Sequence, residues 1–266
     1  MKIGAAIIAC DRTNFTEQCI DSVLANKQDL NELLVINDGQ PWHCNKDIEI
    51  KQNVPSYQTV GVAKNNGIKE LVRRGCEHIF LIENDMILKS SAIFKKYIEA
   101  AKTTGITHLN FGYHGPANRT KDYTKPNPRY IVEYPNNIKI ALNMHSVGAF
   151  SYFDKRYINE VGMHDTYFKN AWEHVELCQR GVKKGLLPAF WWFPDIEGSN
   201  DLIEEIPLSI QNSSITHTEE WTTNMKKGSE YYKKQHGWIP IHTPDTSLDV
   251  VLKKLKTIYK NYSCTK

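Results

Sequence analysis

His78-Ile79-Phe80-Leu81-Ile82-Glu83-Asn84-Asp85 runs from four consecutive apolar side chains straight into two acids separated by one short polar residue. An apolar run without polar alternation predicts a strand buried on both faces, as in a parallel sheet. Acids immediately after it fall where open α/β sheets bind ligands, outside the carboxyl ends of the strands. Two earlier segments repeat the arrangement. Residues 3–10 run apolar into Cys10-Asp11-Arg12, and residues 32–36 run into Asn37-Asp38-Gly39-Gln40-Pro41. Between them, Asn14 and Glu17 have capping-box spacing and open a helix with Phe15, Cys19, Val23 and Leu24 on one side. A short strand at 47–50 and a helix at 60–74, stopped by Gly75, follow. Ser90 or Ser91 caps a helix to 103, Gly105 stops it, and 107–113 is a further strand. This order predicts an α/β fold with a Rossmann-like, mostly parallel, doubly wound sheet.

After Gly112 the texture changes. Residues 114–129 are rich in Pro, Asn, Lys and Gly, and 130–134 and 138–144 flank Pro135-Asn136-Asn137 like a hairpin. A strand at 147–153, helices at 155–161 and 171–184 and a strand at 187–193 come next. Residues 195–213 read as a polar loop or lid, and 248–259 as an amphipathic helix carrying Leu248, Val251, Leu252 and Leu255. The expected division is 1–112, an abutting 113–240 in the same domain, and a tail, 241–266. With no repeat and no low-complexity linker, the two halves are expected to share one sheet or to pack as one unit.

The chain has 266 residues, 41% hydrophobic and 24% charged, which excludes a disordered chain or a disulfide-stapled module. Its 33 Lys and Arg against 30 Asp and Glu leave only +3, so bulk charge marks no nucleic-acid binder. Apolar stretches such as 5–9 fall far short of the roughly 20 residues that cross a bilayer. The amino terminus opens in a strand without signal-peptide character, and the six cysteines contain no C-x-x-C pair. These features predict a cytoplasmic protein, at most peripheral to a membrane, with reduced and mostly buried thiols. The sequons at Asn14, Asn118, Asn212 and Asn261 then carry no meaning.

Acidic groups converging from three strand ends can orient a nucleobase, bind ribose hydroxyls and hold a divalent cation. Asp85 is the expected ligand for Mn²⁺ or Mg²⁺, hard ions that take carboxylates plus substrate phosphates. Glu83 either binds that cation, directly or through water, or contacts the ribose, with Asn84 beside it.

On these residues the chain resembles a GT-A fold glycosyltransferase, close to the family-two nucleotide-sugar transferases, over most of residues 1–240. Ile7-Ile8-Ala9-Cys10-Asp11-Arg12 is similar to the family's first strand and loop, which implies that Asp11 and Arg12 face the donor. Leu34-Val35-Ile36-Asn37-Asp38-Gly39-Gln40 resembles its VIDDGS turn, whose second acid, here Asp38, implies base recognition. Gly61 to Gly67 resembles the family's G-x-x-x-A-R-N-x-G helix start, with Lys64 in the Arg place near the nucleotide. Glu83-Asn84-Asp85 stands at the metal-binding DXD, with Glu for the first acid. Gly148-Ala149-Phe150 and residues 157–165 are similar to the acceptor-side segment, and residues 172–180 to W-x-E-D-x-D-L-x-x-R. In that pattern the Asp of the ED pair is the base for inverting transfer. Here His174 takes its place beside Glu173, so either is the base, with Glu173 favoured. Glu176 and Arg180, four apart, read as an ion pair. Residues 213–217 place His217 where many GT-A enzymes keep a further metal ligand, and imidazole suits Mn²⁺. Residues 231–238 resemble the Y-x-x-K-W-G ending, with Lys233 or Lys234 toward the diphosphate. Trp172, His145 and Trp192 are the acceptor-side candidates, although at least one of Trp191 and Trp192 belongs to the core.

The resemblance implies a metal-dependent, inverting hexosyl- or pentosyltransferase. It would move a sugar from a nucleoside diphosphate sugar, UDP-sugar favoured, to a hydroxyl of a glycan or lipid-linked acceptor. One alternative is a phage-type transferase acting on hydroxymethylated bases in DNA, supported by the basic segments 119–129 and 226–234. Another is an inactive nucleotide-sugar-binding protein, suggested by Glu83 and His174 at places where the family prefers Asp.

Overall fold

The computed structural model describes residues 1–207 and 218–263. Strand β1 (Ile3–Ala9) is buried at all seven positions, the consequence of lying between two parallel neighbours. Those neighbours are β2 (Glu32–Asn37) and β4 (His78–Glu83), and β3 (Glu49–Gln52) extends the sheet beyond β2. The register is level at the carboxyl edge: Ala9 pairs with Asn37 and Ile8 with Glu83. The three polar loops therefore leave the sheet side by side.

Helix α1 (Thr13–Ala25) packs against β1 and against β5 (Met86–Leu88), and α2 (Val60–Arg73) lies across β1, β2 and β4. Helix α3 (Ile93–Thr104) ends in Gly105 at φ 79, as the glycine predicted. Strand β6 (His108–Asn110) is shorter than expected, and the hairpin forms from β7 (Tyr130–Glu133) and β8 (Lys139–Asn143). Strand β9 (Phe150–Asp154) inserts antiparallel between β4 and β6, completing a six-stranded sheet in the order β3-β2-β1-β4-β9-β6. The two halves thus share one sheet. Because β9 runs backwards, its beginning sits at the same edge as Glu83, whose amide donates to Ala149 O at 2.7 Å. Helices α4 (Lys155–Val161) and α5 (Glu173–Lys183) follow, then β10 (Phe193–Ile196), which joins β8 and β7 in a second sheet. Strand β11 (Ile203–Glu205) pairs with β5, and helices α6 (Glu219–His236) and α7 (Leu248–Ser263) close the described chain. No described helix is long and apolar enough to cross a membrane.

Several expectations need correction. The Asn14 and Glu17 capping box does not form, because the helix starts earlier, behind Arg12 in a left-handed conformation. Helix α3 starts at Ile93, and Ser90 instead bonds the Ala92 amide through Oγ. The strand expected at 187–193 begins at Phe193, since residues 189–192 fold into a bridged turn with Trp191 at φ 66. Residues 195–207 are not a polar loop: Asp195 is wholly buried in β10, and β11 completes a ladder. Helix α6 was not anticipated, although Thr218 caps it by accepting from the Trp221 amide. Of the five described cysteines, Cys19, Cys76 and Cys178 are buried, Cys10 and Cys44 half-buried, and all are free thiols.

Candidate active site

Asp11 and Arg12 both sit at positive φ, 52° and 48°, a costly backbone that often marks a functional turn. Asp11 Oδ1 accepts from the Gln40 amide at 3.0 Å and the Tyr57 hydroxyl at 3.1 Å, tying the β1 loop to the β2 loop. Gly39 is required there, because a Cβ would lie 2.4 Å from the Asp11 amide nitrogen. Asp38 is buried and accepts from Asn53 Nδ2 at 2.8 Å and the Gln58 amide at 3.2 Å. Burial raises its pKa, and those donors oppose the rise.

Arg12 reaches across to the end of β4, with Nη2 3.0 Å from Asp85 Oδ2. Asn84 is anchored by Thr16 Oγ1, which accepts its amide at 2.8 Å. Asp85 Oδ1 is buried and has no hydrogen-bond partner among the described residues. Burial pushes the Asp85 carboxyl up, but His114 and Arg12 more than offset it, so its pKa is lowered. An ionised, buried and unpartnered carboxylate oxygen is what a hard cation takes up. No group of three or more metal-ligating His, Cys, Asp or Glu side chains occurs among the described residues. The remaining ligands of such an ion would have to include substrate oxygens. His217 lies outside the described residues.

Lys64 does not face an open cleft. It is 1% exposed, with Nζ 2.6 Å from Glu83 Oε1, 3.0 Å from Gly148 O and 3.9 Å from Glu173 Oε1. Burial works against its charge, but Glu83 and Glu173 raise its pKa overall. Gly148 has no room for a side chain, since a Cβ would stand 2.9 Å from Lys64 Nζ and 3.1 Å from His174 Cγ. The ammonium therefore joins the end of β4 to the first turn of α5. There Glu173 Oε1 contacts His174 Nδ1 at 3.1 Å, while Glu173 Oε2 is buried without a partner among the described residues. Burial alone would raise the Glu173 pKa, but His174 and then Lys64 lower it to about 2. The result is a carboxylate ionised at neutral pH, with one uncommitted oxygen. Glu176 and Arg180 form the expected pair at 2.9 Å, which steadies α5.

The remaining candidates scatter. Trp172, at φ 68, donates to Met225 O at 3.2 Å and packs on α6. His145 is exposed, its backbone clamped by Asn118 and its ring edge-on to Trp191. Trp192 is a core residue rather than an open sugar platform: it is 5% exposed, capped by Arg129 at 3.7 Å and bonded to Asp245. Lys233 is exposed near the end of α6.

One residue escaped sequence reasoning. His114 follows β6, and its Nε2 lies 3.5 Å from Asp85 Oδ2 and 3.9 Å from Glu205 Oε2. The rule that polar residues after strands face the ligand edge would have found it, had it been applied to this strand as well.

No family model matches the sequence, and neither does any curated protein. Solved structures do match. The Drosophila β-1,4-galactosyltransferase 7, solved with manganese, UDP-Gal and xylobiose, superposes with TM-score 0.50 at 13% identity, over 84% of this chain and 79% of that one. S. aureus TarS 1–349 in complex with UDP matches with TM-score 0.47 at 12% identity over 68% of this chain, which spans 55% of that structure. The longer S. aureus TarS structure matches with TM-score 0.49 at 12% identity, and this chain spans 33% of it. The level strand ends, the inserted antiparallel strand and the galactosyltransferase superposition together identify the fold as the GT-A glycosyltransferase fold.

Proposed function

We propose that the protein is a glycosyltransferase that moves a sugar from a nucleoside diphosphate sugar to an acceptor hydroxyl with inversion. The observation that carries this reading is the pair of buried, unpartnered carboxylate oxygens, Asp85 Oδ1 and Glu173 Oε2, on either side of the Lys64–Glu83 pair. Native proteins rarely leave such atoms unsatisfied, and both stand at the ligand-binding edge of the sheet. Asp85 would hold Mn²⁺ or Mg²⁺, and that ion would neutralise the charge growing on the leaving diphosphate. Asp11 and Asp38 order the loops that receive the nucleoside. Arg12, already on Asp85, supplies a further positive charge at the diphosphate. Glu173 Oε2 takes the acceptor hydroxyl proton as that oxygen bonds to the anomeric carbon and the bond to the diphosphate breaks on the opposite face. His174 holds Glu173 Oε1 and so points the other oxygen at the acceptor. The uridine nucleotide is favoured because the Drosophila enzyme of the same fold binds UDP-Gal. A glycan or lipid-linked hydroxyl is the favoured acceptor.

The test is turnover of purified protein with Mn²⁺ against UDP, GDP, dTDP and CDP sugars, with and without plain or hydroxymethylated DNA. Turnover of one donor that disappears in Asp85→Ala and Glu173→Gln is expected. Acceleration by hydroxymethylated DNA alone would make the acceptor a modified base, and no turnover of any donor would refute catalysis.

A further inference from the structure

The end of β4 holds a second orphaned ligating atom. His114 Nε2 has no accessible surface and no hydrogen-bond partner among the described residues, as with Asp85 Oδ1. Its contacts with Asp85 Oδ2 at 3.5 Å and Glu205 Oε2 at 3.9 Å are ion-pair separations without hydrogen-bond geometry. Asp85 Oδ2 is already held by Arg12 at 3.0 Å, and Glu205 Oε2 by the Gly115 amide. An imidazole needing only a carboxylate would close to about 2.8 Å. The backbone on either side of it is held in place. Arg119 grips the chain on both sides, donating from Nη2 to Tyr113 O at 2.7 Å and from Nε to Gly115 O at 3.0 Å. Asn118 bonds Gly112 O at 2.7 Å, and the Gly112 amide donates to the buried Asp195. Beneath Asp85, its carbonyl accepts the Ile206 amide at 2.7 Å, fixing β11 and Glu205 to the same corner.

We propose that His114 is a ligand of the divalent cation, sharing it with Asp85. The proposal rests on the reading of Asp85 as the cation's carboxylate. Two atoms that each lie about 2.1 Å from one ion stand about 3.0 to 3.5 Å apart, between octahedral and tetrahedral angles. The observed 3.5 Å runs from Nε2 to Oδ2, the oxygen that Arg12 holds, and so sets the imidazole beside the same carboxylate whose Oδ1 is left open. The grip of Arg119 and Asn118 then acts as the support that orients a metal-bound ligand before the ion arrives. An imidazole ligand makes the site favour Mn²⁺ over Mg²⁺, because Mg²⁺ prefers oxygen.

The experiment measures Mn²⁺ binding to the full chain by electron paramagnetic resonance, with and without UDP, for the wild type, His114→Ala, His217→Ala and Asp85→Asn. Thermal melts check that each variant folds, and His114→Asn replaces the alanine if it does not. His114→Ala is expected to weaken Mn²⁺ at least tenfold while changing Mg²⁺ much less. Pulsed measurements on the wild type should show a directly bound imidazole nitrogen that is lost in His114→Ala. Wild-type Mn²⁺ affinity in His114→Ala, or a nitrogen signal lost only in His217→Ala, overturns the assignment. If Asp85→Asn also binds Mn²⁺ as the wild type does, the metal reading of the active site itself fails. No sugar transfer is needed for any of these outcomes.

Discussion

Lys64→Met removes the buried cation that stands between Glu83 and Glu173. The side chain is 1% exposed, Glu173 5% and Glu83 28%, so the two carboxylates lose their partner in unequal surroundings. Removing one member of a buried pair typically costs about 3–5 kcal/mol. Water can resolvate Glu83 but not Glu173, which places the expected loss at the lower end, about 3 kcal/mol. With unfolding entropy scaling with chain length, that is a fall in Tm of about 6 °C for a chain of this size. Calorimetry on the variant reads it directly. Adding Glu83→Gln removes one of the stranded charges and should recover about 1 kcal/mol, the mark of a coupled pair. A loss under about 1 kcal/mol, or no recovery in the double variant, would refute the claim that this charge holds the two halves of the site together. The same variant separates two roles for Lys64. Direct diphosphate contact would raise the donor KM with Tm unchanged, whereas the structural tie lowers Tm first.

Glu173→Gln should lower kcat by about 10²–10⁴-fold with the donor KM unchanged, and a fall under tenfold in steady-state assays would remove it as base. Because the Glu173 pKa is depressed to about 2, its charge persists across neutral pH. The rate should therefore show no inflection between about pH 5 and 9 that vanishes in the Gln variant. The stability that its partners lend is present above the ordinary 4.5 and is lost as pH falls toward 2, which an acid titration followed by circular dichroism would show. Asp195 behaves oppositely. Its pKa is raised from 3.8 to about 6 by burial, so across that window the folded protein keeps a proton that the unfolded chain has lost. Stability should then fall with rising pH by on the order of 3 kcal/mol, and urea titrations of Asp195→Asn should lack that slope. Gly39→Ala pushes a methyl into the Asp11 backbone and should cost about 1–3 kcal/mol, and an unchanged melt would contradict the close approach.

The parallel half of the fold was legible because burial on both faces leaves an unbroken apolar run in β1 and β4, each too short for a buried helix and each ending in turn residues. Helices α2, α4 and α5 were legible within one or two residues from their periodicity and stops. Misreadings arose where tertiary contacts override local signals. Asp195 looked like loop polarity, yet Tyr97, Ser199 and the Gly112 amide satisfy it in the core. Trp192 looked like a sugar platform until Arg129 and Asp245, brought from distant segments, covered it. Lys64 reads from its motif as a cation near the nucleotide, but it is buried against Gly148, 84 residues away, which no local pattern discloses. His114 was legible only as a polar residue after a strand, since the two acids that face it, Asp85 and Glu205, come from distant segments.

The insertion of β9 explains why the site needs both halves of the chain. Strand β6 pairs only with β9 in the main sheet, and β4 has β9 as its second neighbour, so residues 1–112 alone would leave both edges unpaired. The same strand delivers Ala149 O to the Glu83 amide and Gly148 O to Lys64. One antiparallel strand thus fixes the height of Glu83 relative to Glu173, the distance that a donor sugar and an acceptor hydroxyl would span in the proposed reaction. A reaction that joins two substrates in line gains most from holding their binding groups at a set separation. Here the separation of Glu83 and Glu173 is held by a sheet ladder and one buried ammonium rather than by loops.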